Sequence, residues 1–406
     1  MRYLYTFFYC LALILLCFLL TALLDKLFPV AAPFTHNLLS LVQLIILLTA
    51  INGLVLGSFT TVEKNYKKLL LLIACCIMLP ELLLTYWLHH PEKIPNRLRS
   101  SFRYYYSESG RNIIQFDPQY SIYNSNLFYT LKRSARFTYS DYEFSDSFVT
   151  NSLGLRDDEN SLIKPEIICL GDSYAMGWGV QQDETFTELL GKQSGYKALN
   201  AAVSSYGTAR ELKNYYRLDT SNVKYLIIQY CKNDLEENKS YTGSNYNLHI
   251  SPENVYRSAT GLHYWNKYWF PGKHLVSFLK LNTRRKLHSI THSAENPTAD
   301  PSKTDTQQAA LIFTDILARS AIDFSKVKVF VVDLDGKEML NNDLIDQVNA
   351  ITRSPGYKNH FNNNLIMVPV TDLLTESDYY ILDPHLRPSG HRKIAGRLYK
   401  LIAASR

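Results

Sequence analysis

The residues of this chain best suited to chemistry are a serine near its middle and an acid–histidine pair near its end. Ser173 follows the apolar run Ile167-Ile168-Cys169-Leu170 and the pair Gly171-Asp172. An apolar run that stops at small and polar residues is typical of a buried strand that turns into a helix. Such a turn exposes the hydroxyl near backbone N–H groups that can hold an anion. Ser173 is therefore a candidate nucleophile.

A serine nucleophile needs a base and a group that orients the base. The sequence Asp383-Pro384-His385 offers both. Proline favours extended backbone at Asp383, and residues two apart in an extended segment project to a common side. His391 is a second candidate base. Its place after Gly390, at the start of an amphipathic helix, favours a surface role for it instead.

Donors for an oxyanion follow two other apolar runs. Small residues at 201–205 come after Asn200, so their backbone N–H groups can approach a ligand. Asn233 follows the run Tyr225–Tyr230, and its side-chain amide can donate a hydrogen bond. In an open α/β sheet, ligands gather at the carboxyl ends of the strands. We therefore expect these turns to converge with Ser173 and His385 on one crevice.

Strand-like and helix-like patterns alternate from residue 166 onward. This alternation predicts a parallel sheet with helices on both faces. The predicted strands are Ile167–Leu170, Tyr196–Asn200, Tyr225–Tyr230, Val327–Leu334 and Leu365–Val370. The predicted helices are Glu184–Leu190, closed by Gly191, then Thr208–Arg217, a core-packed helix around Ala309–Leu317, and a closing helix from near Pro388.

The order of these blocks resembles the SGNH (GDSL-type) hydrolase superfamily. The blocks are Gly171-Asp172-Ser173, the small-residue turn after Asn200, Asn233-Asp234 and Asp383-x-His385; residues 150–157 also look like the segment that precedes the serine block in bacterial membrane-anchored members. The resemblance covers residues 150–406. It implies a three-layer, flavodoxin-like α/β fold and no cofactor or metal.

The resemblance also implies a role for each block. Ser173 is the nucleophile, His385 the base and Asp383 its partner. The oxyanion hole consists of the Ser173 N–H, the Ser205 N–H and the Asn233 side chain. Ser205 stands where the family usually has glycine, which is tolerable if a backbone N–H is the contribution. Cys231 also stands where many members have glycine.

Several residues near these blocks have a less specific role. Asn151, Arg156 and Asp172 are candidates for substrate binding, although a structural salt bridge explains Arg156 equally well. The glycine spacing in Gly177-Trp178-Gly179 does not fit a dinucleotide fingerprint. Cys169 and Cys231 are expected to be buried free thiols, and a disulfide is an alternative if their strands are neighbours.

Three apolar stretches occupy residues 4–24, 37–59 and 69–88. Each is close to the ~20 residues that cross a bilayer as a helix, so residues 1–90 are predicted to be a transmembrane region. The basic second loop, with Lys64, Lys67 and Lys68, favours a cytoplasmic location for that loop. Everything after the third span is then outside the inner (cytoplasmic) membrane, in the periplasm or exterior. Basic residues after residue 90 favour the opposite orientation.

The tyrosine-rich segment 91–150, the insertion 235–306 and Glu81 have a predicted place in the chain, but the sequence assigns no reaction to them. Residues 91–150 are rich in tyrosine and are expected to form a small β-rich bridge to the SGNH-like domain, residues 151–406. The insertion 235–306 contains an aromatic cluster and a basic helical piece, and either shapes a substrate groove or contacts lipid headgroups. Glu81, within the third stretch, is either a functional site or a carboxyl that faces another helix.

The spacing of Asp383-x-His385 is closer to the membrane-associated polysaccharide acetyltransferases and acetylesterases of the family. The resemblance therefore implies an esterase or O-acyltransferase that acts on an acylated carbohydrate, with the lipid bilayer as a second partner. A transferase would need a separate multi-span protein that supplies the acyl group. The alternative is a catalytically silent scaffold or sugar-binding component. A net charge of +6 over 406 residues does not indicate nucleic-acid binding.

Overall fold

The computed structural model of the protein describes residues 78–267, 272–292, 301–338 and 340–405. The predicted spans 4–24 and 37–59, and the first part of 69–88, lie outside these residues. Among the helices that are described, none combines the length and apolar character needed to cross a membrane. The chain divides into two units. One is Met1–Ser109 with Tyr264–Thr291, called the helical unit here after the helices among its described residues, and the other is the α/β unit, Gly110–His263 with His292–Arg406.

The α/β unit is built on a five-stranded parallel sheet. Its strands are β5 (Ile167–Leu170), β6 (Ala198–Asn200), β7 (Tyr225–Tyr230), β8 (Lys328–Asp333) and β9 (Leu365–Val368). They lie in the order β6-β5-β7-β8-β9, and every pair is parallel. This is the flavodoxin-like order expected from the sequence. Every residue of β5 and β7 is buried, including Gln229 of β7, as expected of strands that are covered on both faces of a parallel sheet.

Helices cover both faces of this sheet, and each face has its own core. Alternate residues of a strand point to opposite faces, so β5 and β7 contribute side chains to both cores. The first core contains Ile168 of β5 and Ile228 of β7. The helices that pack on it are α5 (Thr208–Tyr215), α9 (Pro301–Ala318) and α10 (Asp343–Thr352).

The second core lies on the opposite face. It contains Ile167 and Cys169 of β5 and Ile227 of β7. The helices that pack on it are α4 (Phe186–Ser194) and α11 (Pro388–Ala403). The sheet is therefore the middle of three layers, and its carboxyl edge is where loops can assemble a site.

The predicted end of helix α4 is wrong. Helix α4 does not close at Gly191 but continues to Ser194 and ends at Gly195, whose φ of +73° is the left-handed conformation of a helix C-cap. Gly191 has a packing role instead, because a Cβ there would lie 3.1 Å from the Cβ of Ala198 in β6. The missing side chain lets the helix approach the sheet closely.

The segment expected to be a β-rich bridge contains strands only in its second part. Two antiparallel hairpins pair β1 (Ser121–Asn124) with β2 (Phe128–Leu131), and β3 (Arg136–Ser140) with β4 (Ser145–Val149). Residues 91–109 are instead largely helical and include α2 (Asn96–Tyr105). The reason is visible in the spacing of Phe102 and Tyr105, which are both buried on one face of α2.

The insertion 235–306 is mostly helical. It contains α6 (Asp234–Gly243), α7 (Glu253–Lys267), α8 (Lys273–His292) and the beginning of α9. In the helical unit, residues 78–89 form α1, and the Glu81 carboxylate accepts the backbone N–H groups of His274 and Leu275 at 3.1 and 2.8 Å. Glu81 thus faces another helix and caps the first turn of α8.

Candidate active site

Ser173, His385 and Asp383 lie in hydrogen-bond contact at the carboxyl edge of the sheet. Ser173 begins the one-turn helix α3 (Ser173–Met176), directly after β5. Its Oγ is 2.6 Å from Nε2 of His385, and Nδ1 of His385 is 2.5 Å from Oδ1 of Asp383. An imidazole that accepts from the serine hydroxyl and donates to a carboxylate is arranged as a general base for that serine.

The acid of this triad has a second partner. The indole N–H of Trp178 donates to Oδ2 of Asp383 at 3.2 Å, and the indole ring stacks on the His385 ring with centroids 5.2 Å apart. Gly177 and Gly179 have φ of +88° and +84°, conformations that fold the chain back after α3. The two glycines therefore place Trp178 against the triad, which is a role that the sequence did not reveal.

The expected oxyanion donors lie on the serine turn and on two turns that are hydrogen-bonded to it. Within the described part of the chain, neither the Ser173 N–H nor the Ser205 N–H donates to a protein acceptor. Nδ2 of Asn233 donates to Oδ2 of Asp172 at 3.0 Å, which leaves the second hydrogen of that amide for a ligand. The turn with Ser205 is tied to the serine turn by the Val203 N–H, which donates to the Gly171 carbonyl at 3.1 Å.

Asp172 supports these donors instead of presenting itself to substrate. Its side chain is buried, accepts the Tyr174 N–H at 3.0 Å and holds the amide of Asn233. Burial raises the pKa of Asp172 above its ordinary value, while these two hydrogen bonds lower it. Asp172 thereby links the serine turn to the turn after β7.

The structure does not support substrate binding by Asn151 or Arg156, because their exposed fractions are only 2% and 1%. Oδ1 of Asn151 accepts two backbone N–H groups of its own turn. The Arg156 guanidinium donates to the carbonyls of Met176, Gly177, Val180 and Ser147, and lies over the Phe148 ring. Arg156 therefore braces the turn that carries Trp178.

The sequence suggested a surface role for His391, and the structure contradicts it. The histidine that contacts Ser173 is His385. His391 is buried, and its Nδ1 accepts the Phe186 N–H at 3.1 Å. Burial lowers the pKa of His391 to about 3, which favours the neutral acceptor form. The amphipathic pattern of α11 placed this residue at a helix start, but the neighbouring helix α4 covers it.

The two cysteines of the α/β unit are both free and buried. They lie on neighbouring strand ends, yet Cys231 is engaged elsewhere, since its Sγ is 3.1 Å from Oδ1 of Asp335. Burial raises the pKa of the Cys169 thiol to about 12. Both side chains are therefore protonated thiols that pack in the interior.

Ser205 has the left-handed backbone conformation that glycine would adopt most easily. Its φ is +59°. Two residues of the segment 91–150 hold this turn in place: Nε2 of Gln115, before β1, donates to Oγ of Ser205 at 3.0 Å, and the Tyr129 hydroxyl of β2 donates to the Ser204 carbonyl at 2.8 Å. This segment thus supports the turn of the expected oxyanion hole, beyond the bridging role that the sequence suggested.

We expect Ser205→Gly to retain activity. The backbone N–H remains, and relief of the left-handed strain, about 1 kcal/mol, offsets the lost bond to Gln115. The free energy of unfolding should stay near that of wild type, and kcat/KM should change by less than about tenfold, well below the 10²-fold or greater loss of a missing oxyanion donor. Urea unfolding measures the free energy of unfolding, and ester hydrolysis measures kcat/KM. Ser204→Gly is the control, because it adds backbone entropy at a position without positive φ. A 10²-fold loss in Ser205→Gly would contradict the role of its N–H.

A glutamate from the β3–β4 turn holds the loop that carries the acid–base pair. The Glu143 carboxylate accepts the consecutive N–H groups of Ile381, Leu382 and Asp383 at 2.7, 2.7 and 2.8 Å. Burial raises the pKa of Glu143, and the three N–H donors oppose that rise. Nothing in the sequence pointed to this residue, which lies more than two hundred positions before the loop.

We expect Glu143→Gln to lower kcat by about 10- to 100-fold, because hydrogen bonds to a charged group contribute about 1.5–3 kcal/mol. The amide nitrogen of glutamine would also face N–H donors. KM should remain unchanged, since Glu143 is separated from the reacting atoms by the loop that it holds. Steady-state kinetics measure both quantities. Glu236→Gln, the same change at an exposed residue, is the control, and equal kcat values for the two variants would disprove the positioning role.

Comparisons with known proteins give structural matches only. No family model matches the chain, and no curated protein does. It is similar to a G-D-S-L family lipolytic protein from Desulfitobacterium hafniense, with 9% identity, a TM-score of 0.30 and coverage of 58% of this chain and 98% of that one. A GDSL-like lipase from Bacteroides ovatus matches with 11% identity, a TM-score of 0.33 and coverage of 64% and 56%. A lipase from a goat rumen metagenome matches with 12% identity, a TM-score of 0.27 and coverage of 58% and 95%. What this site can do follows from its own residues and distances.

Proposed function

We propose that this SGNH-type site belongs to a serine esterase or O-acyltransferase that is anchored in the membrane. The enzyme removes or transfers a short acyl group on a cell-envelope or secreted polysaccharide. The observation that supports the esterase activity is the pair of hydrogen bonds that joins Ser173 Oγ to His385 and His385 to Asp383. The donors near Ser173 would stabilise the negative charge that an ester carbonyl oxygen develops.

The reaction proceeds in two steps. His385 takes the proton of Ser173 as Oγ attacks the ester carbonyl, and the tetrahedral oxyanion is held by the Ser173 N–H, the Ser205 N–H and the Asn233 amide. The protonated imidazole, stabilised by Asp383, then gives its proton to the leaving alcohol. In the second step, water or a sugar hydroxyl gives its proton to His385 and attacks the acyl-serine. The bond between the acyl carbon and Ser173 Oγ then breaks, Oγ takes the proton back from His385, and the free enzyme is restored.

Two features of the sequence support the finer part of the proposal. The acetyl group and the polysaccharide rest on the Asp383-x-His385 spacing, which resembles the acetyltransferase and acetylesterase branch. The membrane anchor and the location of the α/β unit outside the cytoplasmic membrane rest on the three apolar stretches and the basic second loop. A transferase would depend on a separate multi-span protein for its acyl groups.

The acyl acceptor distinguishes the two versions of this activity. We propose to measure the acetate content of the envelope polysaccharide in a deletion strain complemented with wild type or with Ser173→Ala. An esterase predicts more acetate in the deletion strain, and a transferase predicts less. Acetate content that does not respond to the deletion would contradict a polysaccharide substrate.

A scaffold or sugar-binding component is the second candidate function. The exposed side chains of Ser205 and Asn233 at the site would serve a bound sugar as well as a reacting ester. Hydrolysis of an aryl acetate by the purified full chain separates the two, because a scaffold would turn over no faster than its Ser173→Ala variant. A reporter fused after Arg406 tests location, and activity of a reporter that functions only in the cytoplasm would contradict the outward orientation.

A further inference from the structure

Helix α8 of the helical unit has an apolar stripe on its exposed side. Val276, Leu279 and Leu287 are 60%, 55% and 58% exposed. At the rotation of an α-helix, these positions fall within about 80° of one another around the axis. Phe278, on another side of α8, packs on Phe102 of α2 with ring centroids 4.9 Å apart. The stripe therefore faces away from the contacts that Phe278 makes within the same unit.

Basic residues border this stripe. Lys280 and Arg284 are exposed along one edge, and α8 contains no Asp or Glu. Across residues 78–109 and 264–291 there are ten Lys or Arg and three Asp or Glu, a formal charge of +7, whereas the whole chain has +6. One of the three acids, Glu81, is buried against α8. A water-facing helix usually mixes both signs of charge, whereas this pattern complements an anionic surface.

The start of α8 is fixed to α1, which contains residues 78–88 of the third apolar stretch. Glu81 of α1 accepts the N–H groups of His274 and Leu275, and the Tyr105 hydroxyl of α2 lies 2.6 Å from Nδ1 of His274. Three leucines of α1 are themselves exposed, namely Leu79, Leu82 and Leu83. The exposed apolar surface of α1 belongs to the same unit as the stripe on α8.

We propose that one face of α8 lies in the headgroup region of the bilayer and binds anionic phospholipids. This α8 lipid face consists of Val276, Leu279, Lys280, Arg284 and Leu287. The inference rests on the membrane anchoring proposed above, and it is independent of the chemistry at Ser173. The apolar side chains enter the boundary of the acyl chains, and Lys280 and Arg284 contact phosphates. The insertion had two possible roles, shaping a substrate groove or contacting lipid headgroups. The proposal assigns contact with lipid headgroups to α8.

Photo-cross-linking of the full chain tests this contact. The chain carries p-benzoylphenylalanine in place of Val276 or Leu279, and is reconstituted in vesicles of phosphatidylcholine with or without phosphatidylglycerol. Ile163, 58% exposed in the α/β unit, is the matched control position. We expect lipid adducts at 276 and 279, enriched in phosphatidylglycerol, and few at 163. Equal adducts at all three positions, none at 276 and 279, or cross-links there to a second copy of the chain would overturn the proposal.

A charge variant separates electrostatic binding from simple proximity. In Lys280→Ser/Arg284→Ser, enrichment of phosphatidylglycerol adducts should fall by about fivefold for each basic residue removed. Hydrolysis of an aryl acetate should be unchanged, so a failed lipid contact is distinguishable from a failed enzyme. Unchanged enrichment would overturn the role of the basic residues. Release of the full chain from vesicles by carbonate would refute the anchoring and the lipid face together.

Discussion

Ser173→Ala is expected to lower kcat for aryl acetate hydrolysis by about 10⁴- to 10⁶-fold, the range seen when single members of a catalytic triad are removed. The alanine has no atom to attack the carbonyl, so only the oxyanion donors and binding remain to accelerate attack by water. Stopped-flow and steady-state hydrolysis by the full chain measure the loss.

A matched control variant and a measurement of thermal unfolding show whether the loss of activity comes from a damaged fold. Ser152→Ala removes a hydroxyl that bonds Glu159 at the surface, and should leave kcat unchanged. Thermal unfolding of Ser173→Ala should match wild type, because the substitution removes one side-chain contact and leaves no cavity larger than an oxygen atom. Retention of turnover in Ser173→Ala, with intact unfolding, would exclude Ser173 as the nucleophile.

Asp383→Asn should lower kcat by about 10³- to 10⁴-fold, in line with the loss when a triad carboxylate becomes an amide. The carboxylate accepts from Nδ1 and from the backbone N–H of His385, and from the Trp178 indole. An amide offers only one acceptor oxygen to these three donors, so the imidazole loses the partner that fixes its tautomer.

The comparison variant is Asp372→Asn, which changes an exposed carboxylate paired with Arg397. It should keep wild-type kcat. If Asp383→Asn and Asp372→Asn were equally active, Asp383 would have no part in activating His385.

The fold of the α/β unit was predictable because its signals are local. β5 is fully apolar and β7 is apolar except for Gln229, both are bounded by turns, and parallel strands buried on both faces need such runs. The Asp383–His385 contact was also local, since the two residues are two positions apart and the carboxylate also accepts the His385 N–H. Helix ends were less predictable: Gly191 looked like a helix stop, but its contact with Ala198 could be seen only once β6 and α4 were packed.

The residues that support the site were not predictable, because their contacts join distant parts of the chain. Glu143 reaches the loop at 381–383, and Gln115 reaches Ser205, from a segment that pattern alone described as a bridge. For Arg156 the sequence left two roles open, substrate binding and a structural salt bridge. Four backbone carbonyls compensate its burial here. Short-range sequence patterns carry no record of such contacts.

Labelling of the full chain with a fluorophosphonate, followed by mapping of the modified peptide, shows whether Ser173 is an activated nucleophile. Such reagents form a stable covalent bond with a serine only when a neighbouring base activates it. The geometry of Ser173, His385 and Asp383 predicts modification of Ser173 alone, lost in Ser173→Ala and strongly slowed in Asp383→Asn. A folded chain that stays unmodified, or that is modified at another residue, would contradict the account.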